Sequence, residues 1–94
     1  MESLIKDITN QTTTLVRSLR LGYEGDAGLQ TTIYIDLLME APLPKSNLEE
    51  LSNLITIAHN ALANRDYLFA ADIFEYEISP RVLANLSQST GSKQ

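Results

Sequence analysis

The stretch from Ser46 to Ile78 constrains the fold more than any other part of the chain. Leu51, Leu54, Ile55, Ala58 and Leu62 recur at intervals of three and four, which puts them on one face of a helix. Ser46 followed three residues later by Glu49 has the form of a capping box. Glu49 and Glu50 also place negative charge in the first turn, where the helix dipole favours it. The pattern breaks at Asn64-Arg65-Asp66. Asn64 suits a left-handed helix end, and Asp66 suits the N-cap of the next helix. So short a connection forces the two helices to lie antiparallel and in contact.

The second helix of this hairpin reads from Tyr67 to Ile78. One face carries Tyr67, Ala70, Ala71, Phe74 and Ile78. Ala70 and Ala71 are matched by Ala58 and Ala61 on the first helix, so the two backbones can approach closely. A second face carries Phe69, Ile73 and Tyr76. A surface helix needs only one apolar stripe, so two stripes predict burial on both sides. The second side then meets the N-terminal half of the chain or another molecule, and Phe69, Ile73 and Tyr76 are the candidate interface residues.

Ala58, Tyr67, Ala70 and Phe74, with Leu54 and Ile57 before them, stand at the relative spacings of a tetratricopeptide repeat, and the hairpin resembles one copy of it. It departs from that motif at Ala61, Glu77 and Pro80. The resemblance implies a helical hairpin and a protein partner, although such repeats bury their open faces by stacking several copies. A second pattern runs through Asn64, Asp66, Tyr67, Ala71, Asp72, Glu75, Tyr76, Glu77 and Pro80. In it the chain resembles small uncharacterised helical proteins of bacteria, some linked to motility. That resemblance implies a bacterial source and names no activity.

Outside the hairpin, Ser3 to Leu21 reads as a helix with Leu4, Ile5, Ile8, Leu15, Val16 and Leu19 inward. Thr12-Thr13-Thr14 makes a polar, β-branched interruption that predicts a weak or bent point. Gly22, Gly25 and Gly28 then predict a flexible turn, and Glu24 and Asp26 in it would repel an anion. Leu29 to Glu40 is open to both helix and strand, because Thr31 to Ile35 is β-branched and aromatic. Helix is the better assignment, since a lone strand has nothing to pair with. Leu29, Ile33, Leu37 and Leu38 form its apolar face, and Asp26 is a candidate N-cap. Pro42 and Pro44 end that helix, and Ser79-Pro80 has the form of a start for a further short one. The expectation is one all-α domain over residues 1–86, a small four-helix bundle or helical hairpin array with a short C-terminal extension. Residues 87–94 read as a disordered polar tail.

Charge and composition then exclude classes of function. Seven Lys and Arg stand against 12 Asp and Glu, a net charge of −5. Such a chain repels phosphate, so neither nucleic acid nor an anionic membrane is an expected partner. No apolar run approaches the ~20 residues that span a bilayer. With no cysteine there is neither a disulfide framework nor a thiolate site, in keeping with a reducing cytoplasm. His59 is the only histidine and lacks ligand or base partners at a useful spacing, so it reads as a solvent-facing or a hydrogen-bonded structural residue. Asp72 and Glu75 share a helix face, next to Glu77. Paired carboxylates are a candidate for a divalent cation or small ligand, but helix-borne metal sites add histidines that are missing here. The expected function is therefore non-catalytic, with no cofactor. The chain reads as an interaction, adaptor or chaperone-like protein with a protein partner or a second copy of itself as a homodimer.

Overall fold

A computed structural model of the chain describes residues 2–91, leaving aside the side chains of Glu24 and of 87–91. Every element in it is helical: α1 (Glu2–Leu21), α2 (Glu24–Glu40), α3 (Lys45–Ala63) and a fourth helix, α4, over 67–91. The all-α expectation holds, and 29–40 is helix. No helix is long and apolar enough to cross a membrane.

The turns follow from backbone chemistry. At the end of α1, Gly22 takes φ +75°. Its N–H donates to Leu19 and that of Tyr23 to Ser18, which satisfies two terminal carbonyls. The same motif ends α3, with Arg65 donating to Leu62 and Asp66 to Ala61. The left-handed residue there is Arg65 at φ 60°, not Asn64. Asp66 caps the next helix as expected, its side chain accepting from the Phe69 N–H at 3.3 Å. The capping box at Ser46 does not form. Helix α3 begins one residue earlier, because the extended Pro44 already offers its carbonyl to the Asn47 and Leu48 N–H groups.

Two weak points expected from composition are ordinary helix. The threonines of α1 turn their hydroxyls onto carbonyls four residues back, as Thr12 does to Ile8 at 2.7 Å. The glycine-rich turn shrinks to Gly22 and Tyr23, and Asp26 lies inside α2 rather than at its cap. There it accepts from Ser18 and Gln30, and these bonds, Ser18 first, hold its carboxyl below the ordinary carboxylate range.

Helix α4 is a single rod, and Ser79-Pro80 starts no new helix. Tyr67–Asp72 is α, Ile73–Ile78 is π, and Ser79–Gly91 is α again. Proline in an α-helix clashes with the carbonyl four residues back. The wider π turn relieves this, with the Ser79 N–H reaching Phe74. It also keeps the face in register. Ala70, Phe74, Ile78, Val82 and Leu86 are all fully buried at intervals of four. A regular helix would carry such a run ~40° further round at each step. The extra residue in the wide turn takes up that drift. Residues 87–91 of the expected polar tail continue the helix, and 92–94 lie outside the described residues.

Helix α1 packs against α2 on one side and along α4 on the other, and α3 packs on α4. The molecule measures 44 × 23 × 18 Å. At its centre Phe74 meets Tyr34 edge to face, ring centroids 5.5 Å apart. The inner face of α2 is Ala27, Thr31, Tyr34 and Leu38, while Leu29 and Ile33 face outward. The expected face was turned because it omitted Tyr34, whose ring seats against Phe74.

Tyr34 also carries its hydroxyl into the core. Thr12 and Ser79 pair their buried hydroxyls at 3.1 Å, and the Tyr34 hydroxyl is buried near them without a hydrogen bond of ordinary geometry. Burial pushes its pKa up, and the two neighbouring hydroxyls only partly oppose this. Leaving a buried hydroxyl unsatisfied costs about 1–3 kcal/mol. Tyr34→Phe is therefore expected to raise stability by about 1 kcal/mol, or a few degrees in Tm by thermal melting. A clear fall in Tm would mean that Thr12 or Ser79 bonds this hydroxyl in solution.

Candidate functional site

The stripe expected to form an interface does not exist as one surface. Ile73 is buried at 9 % exposure and belongs to the core of its own chain. The π segment begins at this residue, so both Ile73 and Phe74 turn inward. Phe69 is half exposed and Tyr76 is exposed. They flank Asp72 rather than a continuous apolar patch.

The carboxylates expected to offer a ligand site are engaged. Arg20 at the end of α1 donates to Asp72 at 3.3 Å and to Glu75 at 2.5 Å. Tyr76 first, then Glu75 and Asp72, stabilise the charged guanidinium and raise its pKa. The cluster is thus an ion-paired clasp between α1 and α4. A cation there would have to displace Arg20. Among the described residues no three Asp, Glu or His side chains are grouped to hold a metal ion. Arg81 makes a similar clasp, bonding Glu50 of α3 at 3.0 Å and Glu77 of its own helix at 2.9 Å. These pairs are solvated and contribute little to stability. His59 is exposed on α3, the first of the two settings its isolation in the sequence suggested.

The surface that remains open lies between α2 and α3. These two helices are not packed along each other, although four residues join them. Between them runs an apolar groove of about 220 Å³. Leu38 and Leu51, both nearly inaccessible, form its floor. Ile35 and Ile55 form its walls, with Leu43 of the linker at one end. Met39, 80 % exposed, and Leu48, 47 % exposed, stand on its two rims. Leu48 continues into a shallower hollow shared with Lys45 and Glu49.

Local structure explains this opening. The linker 41–44 holds two prolines and has Ala41 and Pro44 at β-region angles, with one tight turn that brings the Leu43 N–H to the Ala41 carbonyl. It spaces the helices apart instead of turning them tightly together. Sequence periodicity missed the groove because it assigns each helix one inner face. The surplus was nonetheless visible. Leu37-Leu38-Met39 covers more of a helix than one face can bury, and Leu48 precedes Leu51 on a second flank.

No family model, curated protein or solved structure matches this chain.

Proposed function

We propose that the chain is a non-catalytic interaction protein whose docking surface is the groove between α2 and α3. The observation that carries this is the exposure of Met39 and Leu48 over a floor of buried leucines. Apolar side chains gathered around a concavity mark interaction sites, whereas scattered ones do not. The shape also bears on the occupant. The groove holds about 220 Å³ and opens past Leu48 into a hollow of about 550 Å³, an open surface rather than the enclosing pocket of small-molecule sites. It suits a few side chains projecting from another protein. The titratable clusters support the non-catalytic part of the reading, since Asp72 and Glu75 are held by Arg20 and His59 stands alone in solvent.

Photo-crosslinking in the native cell tests the proposal. A photoreactive side chain at position 48 is expected to give a discrete protein adduct, and one at position 10 on the exposed back of α1 is not. Introducing Met39→Glu beside the probe is expected to remove most of the adduct. Equal labelling from both positions, or none from position 48, would defeat the proposal.

A further inference from the structure

The excess negative charge of this protein is not spread over it. Glu24, Asp26, Asp36, Glu40, Glu49 and Glu50 lie on α2 and α3, with Lys45 as the one opposing base. The rest of the chain holds six acids and six bases, so the two helices that wall the groove account for the whole net charge of −5. Elsewhere Arg20 bonds Asp72 and Glu75, and Arg81 bonds Glu77 together with Glu50 of α3. Asp36, Glu40 and Glu49 have no ion-pair partner among the described residues. Each stands within one helical turn of a rim residue, Asp36 and Glu40 by Met39, and Glu49 by Leu48.

We infer that the groove receives a basic amphipathic helix of a partner protein, apolar along one face and rich in Lys or Arg on its flanks. This rests on the groove being the docking surface. Two observations select that occupant. The cleft is apolar and lies between two helices, the setting in which a third helix lays down side chains at i, i+3, i+4 and i+7. Unmatched carboxylates stand within one helical turn of its rims, where they reward cations on the incoming flanks and steer the encounter. A second copy is disfavoured here, because a two-fold contact would set the same acidic rims against each other. An anionic membrane is repelled for the same reason.

Three synthetic helical peptides of about 18 residues, or five turns, test the inference. They share one leucine face and differ on the other, which is Lys, Gln or Glu. Binding to the full chain is followed by fluorescence anisotropy over a range of salt. The Lys peptide is expected to bind about tenfold tighter than the Gln peptide at low salt and to lose that advantage near 1 M, where charges are screened within about 3 Å. The Glu peptide is expected to bind weakest. Met39→Gln with Leu48→Gln should weaken the Lys and Gln peptides alike. Glu40→Lys with Glu49→Lys should weaken the Lys peptide alone. All four positions are exposed, and circular dichroism checks that the fold is kept. If the Gln peptide matches the Lys peptide at every salt concentration, the partner is not basic and this inference falls, while the docking reading stands. If no peptide binds, or the rim variants change nothing, both fall together.

Discussion

Phe74→Ala is expected to remove about 3–5 kcal/mol of stability, the usual cost of emptying a buried aromatic site. A chain of 94 residues has on the order of 5–14 kcal/mol to lose, so the variant should be close to unfolding at 37 °C. The reason is position. Phe74 has no solvent exposure, lies in the π segment of α4, and presents its ring at 90° to that of Tyr34 on α2. It is therefore the link between α4 and a helix that otherwise packs on α1. An edge-to-face pair contributes about 0.5–1.5 kcal/mol beyond the area it buries. Urea denaturation checks the prediction. The midpoint should fall sharply while the slope is kept, since the surface exposed on unfolding hardly changes. Phe69→Ala is the control. That ring is half exposed, so its loss should cost under about 1 kcal/mol. Equal effects from the two would mean that Phe74 is not seated in the core.

Ala70→Leu is expected to cost about 1–3 kcal/mol through overpacking. Ala70 and Ala71 are fully buried on α4, and Ala58 and Ala61 are buried on the facing α3. Four alanines at one helix pair leave no space for a branched side chain unless the helices separate. Separation would also pull Arg81 away from Glu50, 3.0 Å distant across the same pair. Ala63→Leu on the exposed end of α3 should be neutral within about 0.5 kcal/mol. Thermal melts of both variants decide the matter. A melting point for Ala70→Leu at or above that of the wild type would show that the helices are not closely packed there.

Much of the architecture was legible before any coordinates. The three-and-four spacing in 51–62 and 67–78, with Asp66 between them, specifies a helical hairpin, because local periodicity and capping act within a few residues. The alanine matching across that hairpin was legible for the same reason. The apolar positions of the inner face of α1 were legible from Ile8 to Leu19, while Thr12 and Ser18 needed their partners Ser79 and Asp26 to make sense. The π turn could have been anticipated from five apolar or small positions spaced by four between Ala70 and Leu86.

The candidate site was not legible in this way. Asp72 and Glu75 look like free carboxylates in sequence, and only folding brings Arg20 to them across separations of 52 and 55 residues. Ile73 looks like half of an outer stripe, and only the change of helical pitch turns it inward. The groove between α2 and α3 exists because each helix prefers another neighbour, α1 for one and α4 for the other. Periodicity states which residues of a helix seek burial. Which faces meet, and which are left without a partner, depends on the competition among all the helices for a limited apolar surface, and that is settled only in three dimensions.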